Sequence, residues 1–491
     1  MKSILAIDQG TTGSTCLVLR ADGTIAGRAY REITQHYPQP GWVEHDAEEI
    51  FRETCAATRE AIAHAGVIPD AIGIVNQRET IVVWDRATGR PVSRAIVWQD
   101  RRTSARCAEL APRAAEIARR TGLVVDPYFS ATKLEWLLRD DALGRRAAAG
   151  ELRAGTIDSW LIWKLTGGAV HATDATNASR TMLYDIDLGA WSAELCTLFG
   201  VPMSMLPDVR PSSGNFGEAT GEHFGAAIPI WGVAGDQQSA LYGQGCWSPG
   251  EGKNTYGTGA FLLFNAGHTR PRGGGGLLTT IACDARGKSV YALEASIFIA
   301  GAAVQWLRDG LQLLTSAADS EAMARSVDST DGVYFVPALV GLGAPHWAPE
   351  ARGTIVGITR GTTRAHLVRA ALESMAYSTA DVVAMVRDQG VELDRLRVDG
   401  GATSNDWLMQ FQADVLQVAV ERPAMVETTA LGAAGLAGLA AGVWATPEAF
   451  LASRDFTRFE PRRSVGEVAA RYAGWQRAVR TTLAWAADRG A

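Results

Sequence analysis

The chain has 491 residues, 47% of them apolar and 20% charged, with a formal net charge of -6 and a mean hydropathy of -0.01. That length exceeds what one hydrophobic core serves and implies two or three domains. The charge balance argues against nucleic acid as the main partner, and the small-residue run from Ala430 to Val443 falls short of the roughly 18 apolar residues a membrane span needs.

Met1-Lys2-Ser3 leads directly into the apolar run Ile4 to Ile7, leaving no room for a signal peptide. Asp8 ends the run, Gly10, Thr11, Thr12 and Gly13 follow, and a second apolar run to Leu19 completes a strand, turn, strand pattern. Small side chains let backbone N–H groups approach an anion and hydroxyls add donors, so this turn suits phosphate as well as an ordinary hairpin. Asp8 offers the kind of oxygen that Mg²⁺ takes together with phosphates. A third strand is predicted over 24–33 and an irregular loop over 36–45. A helix follows from the N-cap Asp46, with Glu49 as capping-box acid, to Ala65. The buried strand 71–75 ends at Asn76-Gln77-Arg78-Glu79, and strands over 80–84 and 95–98 flank a hairpin at Thr88-Gly89. The arginine-rich stretch 101–120 has helical spacing and reads as a solvated face. Alternating strand and helix patterns make the first half an α/β domain.

Asp236 follows the apolar run 228–234, a place that suits a helix N-cap as well as a carboxylate facing a cleft. Glycine-rich punctuation from Gly243 to Gly252 then marks a boundary, dividing the chain into domains 1–246 and 252–491. The second half restarts in the same style. Residues 253–264 form an apolar strand abutting the turn Gly257-Thr258-Gly259, and 396–405 repeat the pattern before a helix from Trp407 to Leu416. Three such turns point to duplicated domains facing one nucleotide across a cleft. The Ala/Gly-rich helix 431–438 lets another backbone pack very close. Gly287-Lys288-Ser289 is no Walker A loop, since Ala282 stands where its glycine belongs, and neither a strand-borne GxGxxG nor kinase HRD and DFG motifs are present. The six cysteines form no CxxC pair and read as reduced cytosolic thiols.

Several uninterrupted strings carry a more specific likeness. DQGTT at 8–12, NQRET at 76–80, AIVWQ at 95–99, DPYFS at 126–130, TNASRTMLYDI at 176–186, AGDQQSALYGQ at 234–244, KNTYGTG at 253–259, LGAP at 342–345 and DGGA at 399–402 resemble the FGGY carbohydrate kinase family. Within it they resemble the glycerol kinases, and Gly353 to Glu373 resembles the family's second signature. The resemblance implies an α/β fold of two actin-like ATPase (ribonuclease H-like) domains, each a mixed sheet with helices on both faces, around an interdomain cleft. It implies phosphorylation of glycerol by ATP with Mg²⁺, in a cytoplasmic homodimer or homotetramer. By matched position, Arg78 and Glu79 grip the glycerol hydroxyls, Tyr128 completes the grip, and Trp98 and Phe261 wall the carbon backbone. Asp236 matches the catalytic base, with Gln237 as a further substrate contact. Thr11, Thr12 and Gly13 match one phosphate turn and Thr258 the other. Gly301, Gln305, Gly401 and Asn405 match positions around the base, ribose and phosphates, and Asp8 the metal position. Taken alone, Arg78 reads as a salt-bridge arginine and Trp98 and Tyr128 as core aromatics; the matched strings turn them toward a site.

Two departures qualify the likeness. Thr15 stands where glycerol kinases usually carry an arginine that reaches the nucleotide phosphates, and no lysine lies nearby to replace it. Ala227 stands where the enterobacterial enzymes carry the arginine of their fructose 1,6-bisphosphate site. Thr15 keeps open an FGGY kinase of another polyol or sugar. An actin-like filament or chaperone is a third reading, and it has no need of Arg78, Glu79, Tyr128 and Asp236 together.

Overall fold

The computed structural model describes residues 2–425, 427–452 and 454–488. Two mixed sheets carry the architecture. The first runs in the order Glu218–Ala219, Ile228–Gly235, Ala71–Asn76, Ser3–Gln9, Gly13–Arg20 and Ile25–Glu32. Its last three strands form an antiparallel meander, and Ala71–Asn76 and Ile228–Gly235 extend it in parallel. The second sheet repeats this scheme. Ser289–Ile297, Ala260–Gly267 and Glu251–Tyr256 make the meander, and Arg395–Asp399 and Ala419–Pro423 extend it in parallel. Leu278–Cys283 and Phe456–Phe459 edge it. Parallel strands covered on both faces read as unbroken apolar runs, which is why Ile4 to Ile7 and Ala71 to Val75 lie wholly in the core.

The helix Ala47–Ala65 covers one face of the first sheet. Asp46 caps it as expected, accepting from the Glu48 and Glu49 N–H groups. Glu49 does not close the capping box; its carboxylate takes the Thr34 hydroxyl at 2.9 Å instead. The stretch 101–120 is not one helix, because Pro112 breaks it into Ser104–Glu109, a short 3₁₀ turn and Ala114–Thr121. Nor is it all solvated: the Arg102 side chain is buried, stacked 3.7 Å from the Trp42 ring centre and paired with Asp100 and Glu44.

The opposite face of the first sheet is covered by a helix from the second half, Thr428–Ala440, which also lies along Asp236–Gly243. The close approach foreseen for its small residues is present. A Cβ on Gly432 would sit 1.9 Å from the Ser239 carbonyl oxygen, and one on Gly73 would sit 2.2 Å from that of Ala433. Beside the first sheet, Glu44–His45, Ala95–Ile96, Ile81–Asp85 and Leu152–Thr156 form a smaller one. The chain crosses from Ala71–Asn76 to Ile81–Asp85 through Gln77, Arg78, Glu79 and Thr80, so these four residues sit between two sheets. Among the described residues no helix is long and apolar enough to cross a membrane, and all six cysteines are unpaired and buried.

Forcing a methyl group into a close-packed contact typically costs about 1–3 kcal/mol. Gly432→Ala should therefore lower the free energy of urea unfolding by about that amount. Gly466→Ala, at a helical position with nothing near the new methyl, should hold or raise it by up to about 1 kcal/mol.

Candidate active site

Arg78 is the centre of a buried ion network. Its terminal nitrogens donate to both Glu294 oxygens at 2.7 and 2.9 Å, and Nη1 also reaches Gln238 Oε1 at 3.2 Å. Its Nε lies 3.0 Å from Asp236 Oδ1 and 3.7 Å from Glu79 Oε1, without hydrogen-bond geometry to either. Arg180 completes the set, donating Nε to Glu79 at 2.6 Å and Nη2 to Glu294 at 3.2 Å. Glu79 takes a φ of 61°, a left-handed backbone that is uncommon outside glycine and clusters at functional sites. Gly235 leaves room for Arg78, whose Cγ and Cδ would lie 2.8 Å from a Cβ there.

Asp236 is the accessible member. Its side chain is 34% exposed, against 2% for Arg78 and 1% for Glu79. Gly235, not Asp236, is the N-cap of helix Asp236–Gly243, so the capping alternative is set aside. Asp8, at the end of strand Ser3–Gln9, is pushed up to about 7, first by burial and then by the charge of Asp236. Gln237 accepts from the buried ammonium of Lys253, which also donates to the Thr255 hydroxyl at 2.9 Å.

The aromatic pair stands next to this network. The Trp98 and Tyr128 rings meet edge to face with centres 5.5 Å apart, and the Trp98 indole donates to Thr11 Oγ1 at 2.9 Å. Burial first, and then Glu79, push the Tyr128 phenol up, so it stays a neutral donor. Lys133, fully buried, fastens both walls from behind by donating to the carbonyls of Val97 at 2.9 Å and Tyr128 at 3.2 Å. Phe261 pairs with Ser296, and Leu263 with Glu294. Side chains two apart share a sheet face, so Phe261 lies on the face from which Glu294 reaches Arg78.

A cavity of about 620 Å³ in the second half gathers Thr258, Gly301, Gln305, Gly401 and Asn405, with Tyr256 and Met375 among its apolar walls. All five positions expected around a nucleotide there are thus brought together. The turn Gly257 to Gly259 is closed by a 2.8 Å hydrogen bond from Gly257 N–H to Gly259 C=O, as Gly10 to Gly13 is closed at 2.8 Å in the first half. Asn405 caps helix Asp406–Leu416 through its carbonyl, and its buried Nδ2 has no partner. Gly13 has a plainer reason to be glycine than phosphate approach, since a Cβ would meet the Arg31 carbonyl oxygen at 2.3 Å.

Arg180, Gln238, Lys253 and Glu294 carry no role in the sequence reading. The clearest available signal was Glu294, a carboxylate inside the apolar strand Ser289–Ile297, where a buried charge needs a partner. Thr15 lies on strand Gly13–Arg20 directly opposite Asp8, and the buried Lys253 feels the charge of Asp399 and then of Asp236.

The N-terminal domain of the FGGY family of carbohydrate kinases matches residues 3–243, and the C-terminal domain of that family matches 252–441. A glycerol kinase from Carboxydothermus hydrogenoformans is 56% identical over 494 residues, spanning 99% of each chain. The structure of Plasmodium falciparum glycerol kinase with ADP superposes with a TM-score of 0.94 at 38% identity, covering 98% of both chains. A xylulose kinase from Lactobacillus acidophilus shares the fold alone, with a TM-score of 0.89 at 20% identity over 100% of this chain and 99% of its own.

Asp8 gives a pH prediction. Its folded value near 7 lies above the ordinary 3.8, so ionising it penalises the folded state, and stability falls as pH rises from about 4 to about 7. Asp8→Asn should flatten that slope in melting curves without ligand, matching the wild type near pH 4 and exceeding it above pH 7.

Proposed function

The chain belongs to the FGGY family of carbohydrate kinases, and we propose that it transfers the γ-phosphoryl group of ATP to a terminal hydroxyl of glycerol, giving sn-glycerol 3-phosphate. The observation that carries this reading is one accessible carboxylate, Asp236, on the rim of a buried network whose other charges are already paired. Phosphoryl transfer needs positioning and charge neutralisation more than covalent help. Glu79 accepts from one glycerol hydroxyl while Arg78 donates to another, since a carboxylate only accepts and a guanidinium only donates. Tyr128 and Gln237 add polar contacts, and Trp98 and Phe261 hold the carbon chain. Asp236 takes the proton of the attacking hydroxyl as the bond to phosphorus forms.

The 620 Å³ cavity takes the nucleoside of ATP. Its phosphates run toward Thr258 on one side and Thr11, Thr12 and Gly13 on the other. Asp8 and Asp236, two like charges with one raised by the other, suit a cation that keeps most of its waters and completes its shell from phosphate. Among the described residues no three acidic, histidine or cysteine side chains form a cage of their own. Asp8 would hold Mg²⁺, which would neutralise charge on the phosphates. The two lobes, 1–246 and 252–491, close over the cleft about the segment 245–252 and exclude water that would otherwise accept the phosphoryl group. A cytoplasmic homodimer or homotetramer belongs to the same reading.

A larger polyol or sugar as substrate rests on Thr15 alone, whereas the full-length identity to glycerol kinases favours glycerol. A site built to satisfy buried hydroxyl-binding groups rejects analogues that leave them unpaired. In an ADP-release assay across glycerol, xylulose, ribulose and gluconate, glycerol should lead by orders of magnitude, with glycerol phosphate identified by mass. A lead for any other substrate refutes the reading. Asp236→Asn should lower kcat by about 10²- to 10⁴-fold. Thr15→Arg should raise activity or ATP affinity by adding a cation near the phosphates, and an unchanged enzyme would count against that role.

A further inference from the structure

Glu294 belongs to the second half of the chain, on the sheet that leads into the nucleotide cavity, yet its carboxylate is turned to the first half. It meets Arg78 end-on, Oε2 with Nη1 at 2.7 Å and Oε1 with Nη2 at 2.9 Å, and Oε1 takes Arg180 Nη2 as well. We infer that Glu294 is a positioning residue of the polyol site, orienting Arg78 and Arg180 from across the cleft. The inference rests on the polyol kinase reading above.

Three observations support it. Glu294 takes one N–H from each terminal nitrogen of Arg78 and so fixes the plane of the guanidinium, with Nε 3.0 Å from Asp236 Oδ1. Through Arg180, which donates to both Glu294 and Glu79, the same carboxylate also fixes the acceptor of a glycerol hydroxyl. Finally, charge closes within the group: two guanidinium ions face Glu79 and Glu294, all buried. Burial alone would raise the Glu294 carboxyl, but Arg180 and Arg78 outweigh it and hold it down at about 2. Without Glu294 the two guanidinium ions lose the carboxylate that holds them in one orientation.

A buried ion pair is weak as a source of net stability compared with apolar packing. Its neighbours along the strand, Val290, Ala292, Leu293, Ala295 and Ile297, are apolar and buried. A carboxylate among them is better accounted for by what it orients than by what it stabilises.

The test is steady-state kinetics on the full-length wild type, Glu294→Gln and Glu294→Asp, varying glycerol and ATP separately. Glu294→Gln should raise KM for glycerol about ten- to a hundredfold, the scale of a lost charged hydrogen bond, and leave KM for ATP within about twofold. Glu294→Asp, which keeps the charge on a shorter arm, should fall between. A purely structural role would lower the active fraction, and so kcat, while leaving both KM values in place; that result, or an equal rise in both, overturns the inference. If Glu294→Gln does not fold, the same split in Glu294→Asp decides. A wild type that phosphorylates no glycerol overturns the functional reading and this inference with it, whereas an active enzyme with an unmoved glycerol KM overturns the inference alone.

Discussion

A guanidinium ion removed from water must find anions, and Arg78 finds them in three separate parts of the chain. Glu79 is its neighbour, Asp236 opens the helix after strand Ile228–Gly235, and Glu294 comes from the second sheet. Leaving such a cation unpaired in the interior costs several kcal/mol. Its needs are met only when the loop, the helix start and the second half of the chain are assembled around one point. Glu294 and Glu79 are buried with the guanidinium ions, whereas Asp236, 34% exposed, lies at the surface of the network.

The rest of the fold holds that point in place. Each half builds the same meander of three antiparallel strands with two parallel additions, so each delivers a glycine- and threonine-rich turn at the corresponding place. The first turn is tied to the aromatic wall by the bond from Trp98 to Thr11. The second abuts the start of helix Gly301–Asp309, where the Ala300 and Ala302 N–H groups donate to the Thr258 carbonyl at 2.8 and 3.1 Å. Glycine contacts between Thr428–Ala440 and the elements it crosses seat a helix of the second half directly on the first sheet. A shift there would be transmitted to the helix that begins with Asp236.

Much of this was legible in the residues. Strand periodicity, the Asp46 cap and the small residues of 431–438 each have a local cause, and local causes can be read along a chain. Matched strings brought Arg78, Glu79, Trp98, Tyr128 and Asp236 to one neighbourhood, and the five positions expected around a nucleotide to one cavity. The rest depends on distance in space. Glu294 is 216 residues from Arg78; its place inside an apolar strand marks a buried charge but does not say which residue pairs it. Arg180 and Lys253 lie inside the matched strings, but their partners are set only when the halves meet. Arginines at 101–120 suggest a solvated face until Arg102 is seen stacked on Trp42, because a long side chain can bury its stem and head together when carboxylates lie beside it.

The proposed reaction hands a phosphoryl group to a held hydroxyl and denies it to water. Phosphorus NMR of ATP turning over with Mg²⁺ and saturating glycerol measures that partition directly. The γ-phosphoryl signal should pass entirely into a phosphate monoester, with turnover ceasing when glycerol is withheld. Inorganic phosphate as the main product, or turnover indifferent to glycerol, would contradict it.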